Sequence, residues 1–184
     1  MILTFEGLCR PGETLNAERS DLLLPEDLFA EDPHVAFLRI RKPKGRTRGL
    51  GVVQHSKISG ELVVRFLSRV FGRLHQSNPL YPGSPSSFRT RWDTILILSM
   101  LGVEASLGLT PASMRGGGAV RFYRNSGNIT QLLWHMRIKN IETLQHYLQE
   151  VGAEAVLTQL SFSSRTSVKA ASSLFEACLI ANLF

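Results

Sequence analysis

The sequence predicts a mainly α-helical domain with one small antiparallel β-sheet, an α+β fold. Three observations carry this. Apolar residues recur at helical spacing in separate blocks, as at Leu62, Val63, Phe66, Leu67 and Val70. Only two neighbouring stretches, Val35–Arg41 and Leu50–His55, alternate as strands do, and proline and glycine between them read as a turn. The 184 residues are 43% hydrophobic, enough to bury the core of one domain, or of one domain and a tail.

In chain order, residues 1–9 read as the end of an apolar helix. Pro11-Gly12 breaks it, and Pro11 also suits the first position of a further short helix. Asp21-Leu22-Leu23-Leu24-Pro25 reads as a short buried strand or turn. The hairpin of 35–41 and 50–55 follows, then an amphipathic helix over 60–74. Asn78–Pro85 is a loop, and Ser84 suits the N-cap of a helix over roughly 85–101. Phe88, Trp92, Ile95, Leu96 and Ser99 share one face of that helix, and Arg89 and Arg91 leave another side basic. Thr110 and Pro111 suit the N-cap and first position of the next helix. Its run Gly116-Gly117-Gly118 costs about 1 kcal/mol per glycine relative to alanine, so a close backbone approach is expected. Asn128 caps a helix through about Met136, in which Trp134 and His135 read as packing residues. Another helix covers 140–151. Past a Ser-rich stretch at 161–167, Val168, Ala171, Leu174, Phe175, Cys178 and Leu179 form a terminal apolar face. There are no internal repeats.

The formal charge of +6 and pI near 9.8 favour a polyanionic partner, either nucleic acid or an anionic membrane surface. No apolar run is long enough to span a bilayer, and the first residues lack the features of a signal peptide. Cys9 and Cys178 form no ligand or disulfide pattern, which fits a reducing intracellular compartment. Metal-ligand spacing and a phosphate-binding P-loop are both absent from the sequence, so neither a metal nor a nucleotide cofactor is expected.

Four residues stand in an order that suits metal-free attack on a phosphodiester: Arg10, Lys44, Arg115 and Tyr147. A tyrosine oxygen can displace the 5′ oxygen and leave a 3′-phosphotyrosine. Guanidiniums match the charge that builds on the nonbridging oxygens, and a lysine can protonate the leaving group. The turn carrying Lys42, Lys44, Arg46 and Arg48 is a concentration of like charge that an anionic partner explains. Each feature has a plainer reading taken singly. Tyr147 is then a half-buried tyrosine, Arg10 a salt-bridge partner of Glu13, Arg115 a helix-surface charge, and the turn a solvated hairpin tip.

Taken together, these segments resemble the catalytic domain of tyrosine recombinases, the phage integrase family, from Thr4 to about Val151. Gly7-Leu8-Cys9-Arg10-Pro11-Gly12-Glu13 is similar to the family's first arginine box, which implies that Arg10 binds phosphate and Glu13 supports it. The basic hairpin resembles the one bearing the catalytic lysine, with Lys44 in that role and Lys42 as its rival. Arg46 and Arg48 would be DNA contacts. Thr110-Pro111-Ala112-Ser113-Met114-Arg115 resembles the second box, and Tyr147 matches the nucleophile. The wording from Leu133 to Tyr147 is nearest to recombinases of eukaryotic mobile elements, which implies the nucleus as the compartment.

Two positions depart from the pattern. Ala112 stands where the second box has histidine, and Ile138 stands nine residues before the tyrosine, where histidine or tryptophan is expected. Loss of a general acid or base costs about 10²–10⁴ in rate. Either His135, His146 or His55 compensates, or the chain is a catalytically degenerate DNA-binding remnant. The resemblance implies a catalytic unit at 1–151, truncated at its N-terminus and lacking the core-binding domain. A linker and an amphipathic helix occupy 152–184. That helix would pack in cis or join subunits of a tetramer on DNA. A third reading, outside nucleic acids, is a basic helical interaction protein that uses this terminal helix.

Overall fold

The computed structural model describes residues 1–28, 31–43, 53–95, 101–145, 147 and 158–181. Among them the chain is mainly helical with one three-stranded antiparallel sheet, the α+β class expected. Helix α1 (Ile2–Glu6) leads through Leu8 to α2 (Pro11–Leu15), which Pro11 opens as expected. Strand β1 (Leu22–Leu23) precedes α3 (Pro25–Leu28), and β2 (Val35–Ile40) lies between β1 and β3 (Gln54–Ser59).

The alternation in β2 is real: Ala36, Leu38 and Ile40 are buried on one face. The second strand is displaced from the reading of Leu50–His55. It runs over Gln54–Ser59, with Leu38 opposite Ser56 and Ala36 opposite Ile58. Residues 50–52 lie outside the described residues, and Val53 is exposed. A buried serine hid the alternation. Ser56 occupies a core position because its hydroxyl donates to the Gly7 carbonyl, which removes the penalty of an unpaired buried hydroxyl.

Helix α4 (Glu61–Phe71) crosses the sheet with Val63, Val64 and Leu67 inward. Val70, assigned to that face by spacing, is instead exposed, and at this end of the helix Phe71 packs against the core. Burying Leu38, Ile58 and Leu67 contributes about 1.5–3 kcal/mol each. In α5 (Pro85–Asp93), the Ser84 side chain accepts the Ser87 N–H at 3.0 Å, the cap expected. Trp92 is buried and donates to the Leu109 carbonyl at 3.3 Å. The expected continuation over 96–100 lies outside the described residues.

Helix α6 (Ser113–Ser126) starts later than Thr110-Pro111 predicted. Its N-cap is Ala112, and Thr110 and Pro111 form the preceding turn, with the Ser113 hydroxyl accepting the Thr110 N–H at 3.1 Å. Helix α7 (Ile129–Met136) is capped by Asn128, whose side chain accepts the Gln131 N–H at 2.9 Å. Helix α8 (Ile141–Gln145) ends before Tyr147, which stands on the following turn through its N–H bond to the Leu144 carbonyl. Helix α9 (Phe162–Ala181) begins inside the Ser-rich stretch, where the Ser161 hydroxyl accepts the Ser164 N–H at 3.1 Å. It packs back on α4, and Ser164 donates to the Gly102 carbonyl at 2.6 Å. Its expected apolar face is mostly uncovered. Leu179 is buried, but Leu174 and Phe175 are exposed. No helix among the described residues is long and apolar enough to cross a membrane.

Two buried clusters result. One joins the sheet, α1 and α4, and the other gathers Leu8, Ala119, Leu132, Met136 and Leu144. The glycine run explains how α1 bridges them. A Cβ on Gly118 would collide with the Phe5 carbonyl oxygen and with Leu8, so α1 lies against the backbone of α6 there. Gly116 faces open space and has no such reason.

Candidate active site

The site forms where the segment after α1, the start of α6 and the end of α7 meet. Leu8 is left-handed (φ 50°), which turns the chain so that Leu8 enters the second core and Arg10 emerges in extended conformation ahead of α2. Glu13, one turn on, accepts the Arg10 backbone N–H at 2.7 Å on Oε2 and its Nη1 at 3.0 Å on Oε1. The Arg10 side chain remains about one-third exposed, at 34%, so part of its guanidinium is open to a ligand.

Arg115, in the first turn of α6, is buried instead of lying on the helix surface. Its Nη2 donates to the Met136 carbonyl at 2.5 Å, and its guanidinium carbon lies 5.4 Å from the centre of the Tyr147 ring, within cation–π range. Burial holds its pKa below the ordinary arginine value; Arg10 and Arg137 add to this, while Tyr147 and Glu13 oppose it. Tyr147 is half-buried against the second core. Arg10, Arg115, Tyr147 and Glu13 are therefore brought together.

Sequence reasoning missed Arg137. This residue ends α7 in the left-handed region (φ 57°) and, with Leu8, is one of two non-glycine residues there among those described. Its side chain is nearly buried, and Nη2 donates to Glu13 Oε2 at 2.7 Å. Glu13 thus bridges Arg10 and Arg137. The only signal in the sequence was a cation flanked by apolar Met136 and Ile138.

A cavity of about 570 Å³ opens beside Arg10, with Glu13, Asp21, Arg39, Arg41 and Lys42 in its wall. Lys42, the rival for the lysine role, therefore shares a cavity with Arg10. Lys44, Arg46, Arg48 and His146 lie outside the described residues. Arg39 and Arg41, not singled out from sequence, donate to one Asp21 oxygen at 2.9 and 2.6 Å.

His135 stands elsewhere. Its ring packs 4.9 Å from that of Phe122 and lines a second cavity, of about 230 Å³, between Phe5 and Ser59. Nδ1 is buried with no partner among the described residues. Burial holds its pKa below 6.5, and Lys57 and Arg137 press it the same way. Trp134, expected to pack, is 71% exposed. Of the positions without imidazole, Ala112 caps α6 and Ile138 packs on the second core. His55 is exposed on β3. Among the described residues no group of three or more His, Cys, Asp or Glu could hold a metal ion. No protein-family model matches the chain, and no curated protein matches it.

Proposed function

We propose that the chain cleaves and rejoins DNA strands through a 3′-phosphotyrosine intermediate, as a tyrosine-type recombinase or integrase. One observation carries the reading: the Arg115 guanidinium lies 5.4 Å from the Tyr147 ring and near enough to Arg10 and Glu13 for their charges to act on it, although these residues come from three distant parts of the chain. In the reaction the Tyr147 oxygen bonds to phosphorus and the bond from phosphorus to the 5′ oxygen breaks. The phenolic proton passes to water, and Lys44 or its rival Lys42 protonates the leaving 5′ oxygen. Arg10 and Arg115 offset the charge of the nonbridging oxygens. Lys42 beside Arg10, together with Arg46 and Arg48, serves the flanking DNA backbone. The protein acts inside the cell, in the nucleus if it is eukaryotic. The exposed Leu174 and Phe175 of α9 are the surface for assembly on DNA with further copies.

A second reading, a DNA-binding remnant, is favoured by Ala112 and Ile138, which present no proton-transfer group. One assay separates the two. Random-sequence duplexes with a 5′-bridging phosphorothiolate trap a phosphotyrosine adduct, because the released thiolate does not rejoin. The protein forms a covalent adduct, and Tyr147→Phe lowers its yield by about 10³-fold or more. Salt-sensitive DNA binding without adduct selects the remnant. Absence of binding even at low ionic strength excludes both.

A further inference from the structure

The charges in this site do not balance. Arg115 and the Arg137 side chain are both nearly buried, Arg10 is one-third exposed, and Glu13 is the carboxylate that Arg10 and Arg137 share. Among the described residues Arg115 has no carboxylate partner within ion-pair distance. Buried guanidiniums are normally matched by anions, since desolvation is otherwise uncompensated. The Nε–H groups of Arg115 and Arg137 are also buried without acceptors. Unmet buried donors are uncommon and point to something missing.

A plainer account is that both arginines cap the end of α7, through the bond of Arg115 to the Met136 carbonyl and of Arg137 to that of His135 at 3.5 Å. That account leaves both Nε donors unexplained. It also leaves unexplained an arginine at φ 57°, where glycine is unstrained and caps as well. A tetrahedral oxyanion supplies what is missing: negative charge and several acceptors in fork geometry.

We propose that Arg137 is a further guanidinium of this site, and that together with Arg115 it binds the nonbridging oxygens of a phosphodiester. The inference rests on the reading that the site accepts a phosphodiester, and adds a residue to it. Arg137 immediately precedes Ile138, so the segment that lacks an imidazole supplies a fixed cation one position earlier. A guanidinium donates hydrogen bonds but moves no proton near neutral pH, so its contribution is to binding and positioning.

Calorimetry of the full chain with inorganic phosphate at low ionic strength tests this. Removing Arg137 alone takes from Glu13 one of its two guanidinium partners, so Glu13→Gln is compared with Glu13→Gln/Arg137→Gln, and exposed Arg65→Gln is the control for lost surface charge. Arg65→Gln binds phosphate as the wild-type chain does, whereas adding Arg137→Gln to Glu13→Gln weakens binding by about tenfold or more relative to Glu13→Gln alone. Ethylguanidinium restores binding to Arg137→Ala, which a purely structural cap does not predict. Equal affinity of the Glu13→Gln and double variants, or no phosphate binding by the folded wild-type chain, overturns the inference. If the double variant fails to fold, Arg137→Lys keeps the charge and loses the fork; unchanged affinity there also overturns it. The adduct assay reports separately on strand transfer. Phosphate binding that depends on Arg137 without any adduct removes strand transfer and leaves the oxyanion site standing.

Discussion

Two arginine clusters border one cavity, the first through Arg39 and Arg41 and the second through Arg10, and they are built on opposite rules. Beside the sheet, Arg19, Arg39 and Arg41 face Asp27, Asp21 and Glu18, so three cations meet three carboxylates. Buried Arg19 is fully engaged: Nε donates to the Phe71 carbonyl, Nη1 to that of Leu22 and Nη2 to Asp27. In the other cluster Glu13 pairs with Arg10 and Arg137 while Arg115 has no carboxylate, and among the described residues two Nε donors stay unmet. In the matched cluster every guanidinium has a carboxylate, and through Arg19 its energy goes into holding β1, α3 and α4 together. The unmatched cluster has charge and donors to spare. Burial of an arginine therefore does not mark its role; the ratio of cations to carboxylates around it does.

This contrast can be broken by experiment. The largest effect belongs to Arg19→Ala, which strands Asp27 and two backbone carbonyls. It lowers stability by about 3–5 kcal/mol in urea unfolding, and a loss under about 1 kcal/mol would mean that the matched cluster is not a staple. A pH-dependent effect comes next. The folded pKa of His135 lies below its unfolded value near 6.5, so the unfolded chain takes up this proton first. Its contribution to stability is complete above about pH 6.5 and is lost as pH falls through the window between the two values. The new cation faces Lys57 and Arg137, next to the existing excess of positive charge. His135→Phe should flatten the slope of melting temperature against pH below 6.5, and an unchanged slope would locate it in other groups. The smallest stability change belongs to Arg115→Met. An unmatched guanidinium exchanged for an apolar chain of similar length removes an uncompensated charge but leaves the Met136 carbonyl without its donor, so stability falls by about 1–2 kcal/mol, while phosphate binding falls. A loss near that of Arg19→Ala would show that Arg115 holds the fold as well.

Local chemistry made much of the fold legible. Pro11, Ser84 and Asn128 mark helix starts through their own ring or side chain, and β2 alternates because one face is buried. Where the partner is remote in sequence, the reading slipped. Nothing near Ser56 announces that its hydroxyl answers Gly7, so β3 was placed too early. The start of α6 slipped on a local competition instead: the Ser113 hydroxyl, three residues on, takes the Thr110 N–H, and Thr110 and Pro111 form a turn ahead of the helix. The site divides the same way. Arg10 and Glu13 are one helical turn apart and could be paired from spacing, whereas Arg137 reaches Glu13 across most of the chain.

The contact between Gly118 and the Phe5 carbonyl has a mechanical consequence. Helix α1 ends a few residues before Arg10, and α6 carries Arg115 one turn before Gly118. Main chain resting on main chain leaves no rotamer to choose between them, so the gap cannot breathe as side chains flip. The two helices act as the jaws of a fixed gauge, and Arg10 and Arg115 inherit its setting before any ligand arrives.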